Sequence, residues 1–178
     1  MPSSAVFSTI DVAVWFSERA RQDDDYMQPQ KLQRLLYLAQ GTFAGLNFGR
    51  KLMPAIFVAD ETGPIEANIF RLFEDGPPKM RPKNLSPEVE NFLYEIWRRY
   101  SHHSTEYINQ QVQYHDIYTR AIKKGVNEEI PFEDIVSFFT GQDEARKKKK
   151  AMVKTDDGRT LPKWTPTARA AAKPTNKG

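Results

Sequence analysis

The chain has 178 residues, no cysteine, and 26 Lys/Arg against 23 Asp/Glu for a formal net charge of +3. That length suits one domain with an appendage, and the lack of cysteine excludes a disulfide framework and a thiolate zinc site. Met1-Pro2-Ser3-Ser4 begins no signal peptide and no run approaches the roughly 18 apolar residues of a membrane span, so the expectation is a cytoplasmic protein with no membrane contact.

The total charge hides a segregation. From Arg146 to Gly178 eleven Lys/Arg face only Asp156 and Asp157, a net of +9, which leaves the preceding 145 residues with 15 Lys/Arg, 21 Asp/Glu and a net of −6. An acidic body with a basic tail suggests either a tail that docks on nucleic acid or another acidic surface, or one that folds back on its own body.

In chain order, the first helix is expected to open at Ser8 or Thr9, with Asp11 favourably placed against the helix dipole, and to run to about Arg21. Ile10, Ala13, Val14, Trp15 and Phe16 make it apolar over more than half its circumference, so it is expected between other elements. Asp23-Asp24-Asp25 then reads as a solvated loop. Pro29 starts a second helix, whose stripe is Leu32, Leu35, Leu36, Ala39, Phe43 and Leu46. Gly41, Gly45 and Gly49 recur every four residues, a spacing that predicts close approach of another backbone.

Ala55–Ala59 reads as a brief strand, and Gly63-Pro64 as a turn from which Pro64 starts a third helix with Ile65, Ile69, Leu72 and Phe73 inward. The fourth helix has Ser86 as cap, Pro87 in first position and a stripe of Val89, Phe92, Leu93, Ile96, Trp97 and Tyr100. A fifth spans Thr105 to Lys123, with Ile108, Val112, His115, Tyr118, Ala121 and Ile122 inward, and ends before Gly125. A short sixth carries Phe132, Ile135, Phe138 and Phe139 and stops near Gly141. The fold class expected is mainly α: a single compact bundle of about six helices with a short β element over residues 8–141, then a basic C-terminal tail, 142–178, with a short hairpin at 151–161 around Asp156-Asp157-Gly158. The Ala, Pro and Lys-rich end from Lys163 has too little apolar content to order itself.

Chemistry is sparse. No glycine is followed by Lys-Ser or Lys-Thr, and neither G-x-G-x-x-G nor G-x-S-x-G occurs, which removes the common phosphate-cradling and hydrolase signatures. Of three histidines, His102 and His103 adjoin Glu106 without a second cluster to complete a metal site. His115 lies on the apolar side of its helix, where a satisfied core histidine outweighs a catalytic base. No enzyme, metal or cofactor is expected. Two surfaces invite partners. Lys31, Gln33, Arg34, Tyr37 and Gln40 fringe the stripe of the second helix, and Tyr and Arg commonly anchor interfaces. Arg146, Lys147, Lys148, Lys149 and Lys150 could add a salt-sensitive attraction to nucleic acid, or simply continue the sixth helix as a solubilising face.

Four stretches, taken together, are similar to the Panacea domain family, which includes SocA-like antitoxins and phage-associated GepA-like proteins. They are Val12-Ala13-Val14-Trp15-Phe16; Lys31-Leu32-Gln33 with Leu35-Leu36-Tyr37; Gly63-Pro64-Ile65; and Ile130, Phe132, Ile135, Phe138 and Phe139, in the family's order and approximate spacing. The chain departs from the pattern at Thr62, where an aromatic residue is common, and at Pro131, where a capping Ser or Thr is usual. The resemblance implies an antitoxin that binds and neutralises a cognate protein toxin. For the SocA-like branch it further implies a proteolytic adaptor that delivers the toxin to the ClpXP protease. The partner-binding residues expected are Lys31, Arg34, Tyr37, Gly63 and Pro64. The alternative is a nucleic-acid-binding regulator acting through the basic tail.

Overall fold

A computed structural model describes residues 4–80, 83–154 and 160–162. Two compact units divide the chain, Met1–Asp143 and Glu144–Gly178.

The first unit is built around one helix. α1 (Thr9–Gln22) starts where the Ser8 hydroxyl accepts from the Ile10 amide, and α2 (Pro29–Leu46) starts on Pro29 itself, with no side-chain cap. Every residue of α2 from Lys31 to Gly41 is buried, so this helix runs through the interior rather than presenting one face to it. The stripe expected from the sequence is only the apolar part of that contact, and its last member, Leu46, is exposed. Around α2 pack Val12, Ala13 and Phe16 of α1, and Leu93, Ile96 and Trp97 of α4 (Pro87–Tyr100), which opens on the Ser86 cap and Pro87 as expected. Asp23 is more than a solvated loop residue: it accepts from the Trp97 indole at 2.7 Å and pairs with Arg19.

The sheet corrects the reading of Gly63-Pro64. β1 (Phe57–Asp60) and β2 (Gly63–Glu66) form an antiparallel hairpin with Val58 opposite Ile65, and Pro64 does not start a helix. Pro64 fits a strand here because β2 is an edge in the order β2-β1-β3, where a missing donor is tolerated. α3 (Ala67–Leu72) begins later, where the Glu66 carboxylate accepts from the Ile69 amide at 2.8 Å, and its Leu72 is part-exposed rather than inward.

The fifth helix is also corrected, because Thr105–Lys123 is two helices. α5 (Thr105–Gln113) and α6 (Asp116–Lys124) are separated at Tyr114 and His115, with His115 in extended backbone as the residue preceding α6. No Gly or Pro marks the break. The contacts of His115 described below hold it. β3 (Glu128–Ile130) then completes the sheet beside β1, with Ile130 opposite Phe57.

α7 (Phe132–Ala151) does not stop near Gly141; it continues through the lysine run, bringing the helices among the described residues to seven. The regular spacing of Gly41 and Gly45 is explained by this helix. A Cβ on Gly41 would fall within the Phe139 ring, and one on Gly45 would lie 3.0 Å from the Phe139 carbonyl carbon. Gly41→Ala is therefore expected to destabilise by about 1–3 kcal/mol, because the buried ring has to move. Thermal denaturation checks it, and an unchanged midpoint would mean that the ring yields freely.

The second unit contains the end of α7 and an antiparallel pair, β4 (Met152–Lys154) and β5 (Thr160–Pro162), in which Val153 faces Leu161. The turn around Asp156-Asp157-Gly158 and the end from Lys163 lie outside the described residues.

Candidate functional site

The polar residues of α2 were expected on an exposed rim. They are buried, and each fastens a different part of the first unit. Lys31 Nζ donates to the Ser101 carbonyl at 2.6 Å, a cation at the C-terminal end of α4 where the helix dipole favours it. Gln33 Oε1 accepts from the Glu66 amide at 2.8 Å. Gln40 accepts from the Leu52 and Met53 amides and donates to the Met53 carbonyl, each at 3.1 Å.

Arg34 makes the densest set. Its side chain is fully buried, and its planar fork reaches three directions: Nε to Asn109 Oδ1 at 2.8 Å, Nη1 to the Pro64 carbonyl at 2.6 Å and Nη2 to Thr62 Oγ1 at 2.8 Å. The Thr62 hydroxyl in turn donates to Asp60 Oδ2 at 3.0 Å, so one hydroxyl links cation and carboxylate. Desolvation pulls the Arg34 pKa down to about 10, against the attraction of Asp60, which leaves the side chain charged at neutral pH.

Gly63 is the floor of this site. At φ +138 it occupies a backbone region that disfavours side chains, and a Cβ there would lie 2.7 Å from Arg34 Nε. Two more side chains hold the same turn: Tyr118 donates to the Asp60 carbonyl at 2.7 Å, and Gln113 Nε2 to the Thr62 carbonyl at 3.2 Å. Arg34, Gly63 and Pro64, expected to bind a partner, thus meet in one place inside the protein.

Tyr37 lies one turn further along α2. Its hydroxyl is 3.0 Å from His115 Nδ1, and its ring stands edge-on to Phe57 and Phe139 with centroids 5.6 and 5.8 Å away. Burial raises the Tyr37 pKa and lowers that of His115 to about 4, an effect that Asp116 only partly opposes. The hydroxyl keeps its proton and the imidazole is neutral, so the two share one hydrogen bond whose direction follows the imidazole tautomer. A histidine titrating this low is a weak base at neutral pH. The pair's chemistry is cohesion: it ties α2 to the α5–α6 break and, through the His115–Phe138 ring contact at 4.4 Å, to α7.

The other sequence-predicted groups lie apart from the hub. The His102 and His103 rings lie 4.1 Å apart in a tilted pair, and His103 stacks on Tyr107 at 4.2 Å. Among the described residues no group of three His, Cys, Asp or Glu could hold a metal ion. No helix among them is long and apolar enough to cross a membrane. Arg146, Lys147, Lys148 and Lys149 are exposed on α7, and Lys150 lies in the same helix. Sequence reasoning missed the most exposed aromatic residues of the first unit. Phe7 and Phe48 are fully exposed and Tyr114 nearly so. Phe48 also holds a left-handed backbone at φ +52, which costs a bulky residue about 1 kcal/mol or more. The one available signal was its position beside Asn47 and Gly49, just past the last stripe residue of α2.

Comparison of the chain with models of protein families, with curated proteins and with solved structures finds no match in any of the three.

Proposed function

We propose that this protein is an antitoxin, a binding protein that neutralises a cognate protein toxin encoded beside it, and in more specific form an adaptor that delivers the toxin to ClpXP. The observation that supports the reading most is that three of the four family-like motifs converge physically. Arg34, which stands between Gln33 and Leu35 of the second stretch, donates to the Pro64 carbonyl at the start of β2, and Tyr37 of the same helix packs on Phe139. Residues used this way build a scaffold, which leaves recognition to what the scaffold displays. Phe48 is the leading anchor: an aromatic ring held outside by an unfavourable backbone loses little conformational freedom on binding.

Co-expression with the product of the neighbouring open reading frame tests the function. The toxin alone should arrest growth and the pair should grow and co-purify; neither rescue nor complex would end the proposal. Rescue that persists in cells lacking ClpX would remove the adaptor form and leave direct neutralisation. Phe48→Gly separates recognition from stability. Glycine relieves the left-handed backbone, so unfolding free energy should rise by about 1 kcal/mol while toxin affinity falls. Full rescue by this variant would place recognition elsewhere on the surface.

A further inference from the structure

α7 keeps its helical form where its sequence gives it no apolar face. From Glu144 to Lys149 every residue is exposed, more than a full turn, so no side of the helix is covered there. Within that turn Arg146, Lys147, Lys148 and Lys149 are consecutive, and Arg146 and Lys149 lie on one side, where like charges oppose the helix. The helix dipole offsets part of this repulsion, since the cations lie near the C-terminal end. The remainder is relieved when a polyanion replaces water around the helix.

We infer that this stretch of α7 binds the phosphate backbone of duplex DNA without reading its sequence. Consecutive helical residues rise about 1.5 Å each, while duplex DNA carries one charge per roughly 1.7 Å of axis, so the linear charge densities match. A bare helix about 10–12 Å across also fits a major groove about 12 Å wide. The bias is strong along the chain: the eleven Lys/Arg from Arg146 onward face two acidic residues, whereas the part before it is net −6. That contrast directs a polyanion to this helix and away from the rest of the protein. The binding needs no toxin and is independent of the antitoxin reading.

The test is fluorescence anisotropy of the full chain with a labelled mixed-sequence duplex and with a scrambled duplex. The two should bind alike. With Arg146, Lys148 and Lys149 engaged, affinity should fall roughly 40-fold between about 50 and about 200 mM salt. The variant carrying Arg146→Gln, Lys147→Gln, Lys148→Gln and Lys149→Gln should lose most of the affinity and most of that salt dependence, while its melting temperature, measured alongside, stays within a few degrees. No binding at low salt, or wild-type affinity in the quadruple variant, overturns the inference. So does equal or tighter binding of polyglutamate or of anionic phospholipid vesicles, which would make the helix a site for acidic protein or for lipid.

Discussion

Arg34→Ala is expected to remove about 3–5 kcal/mol of stability, a large share of the roughly 5–15 kcal/mol that holds a domain together. The truncation deletes three charge-assisted hydrogen bonds at once and leaves Asn109 Oδ1, the Pro64 carbonyl and the Thr62–Asp60 pair facing a void. Arg34→Lys should recover little, because a single ammonium cannot reach acceptors on α5 and on both sides of the Gly63-Pro64 turn. The glycine beneath supplies a sharper test. Gly63→Ala alone should cost about 1–3 kcal/mol through contact with the guanidinium and through strain at φ +138. In an Arg34→Ala background only the strain remains, so the second penalty should shrink by a measurable fraction of a kcal/mol or more. Urea unfolding of the four proteins gives the coupling energy, and a value of zero would show that the guanidinium does not dictate the glycine.

Acidification is expected to weaken the fold through His115. Unfolded, the imidazole titrates near its ordinary 6.5; folded, burial beside Tyr37 and Phe138 lowers this to about 4. Between those values the unfolded chain takes up a proton that the native protein refuses. Stability from this group is thus complete above about pH 6.5 and is lost progressively as the pH falls towards 4, by about 3 kcal/mol in all. His115→Asn keeps a hydrogen-bonding group beside the Tyr37 hydroxyl and removes the titration. Over the same window the variant should show a shallower decline in unfolding free energy than the wild type. Parallel curves would mean that His115 is already protonated in the native state.

Helices that announce themselves by caps and stripes were legible. Ser8, Pro29 and the Ser86-Pro87 pair mark their helices correctly, and the inward faces of α1 and α4 follow from their spacing. What tertiary contact alone decides was not. The α5–α6 break has no Gly or Pro and exists because His115 is held against Tyr37. β3 contains Glu128 and Glu129 in three residues and is a strand only because β1 lies beside it. The interior place of Lys31, Arg34 and Gln40 was hidden by their chemistry, since such residues belong to surfaces unless every polar atom finds a partner. Gly41 and Gly45 carried the clue: small residues along α2 opposite its leucines mean close neighbours on more than one side.

The glycine face of α2 has a consequence for the order in which the molecule is made. The partner of Arg34 in the Gly63-Pro64 turn is synthesised thirty residues after it, and His115 follows Tyr37 by 78. Phe139, whose ring covers Gly41, emerges last, 75 residues after Pro64 (139 minus 64), or about 4–15 s later at roughly 5–20 residues per second. For those seconds the central helix of a growing chain has its turn in hand but one flank bare. A chain cut short before Phe139 and released would thus carry a hub that is assembled but unsealed, the form of this protein most open to chaperones and to mispairing.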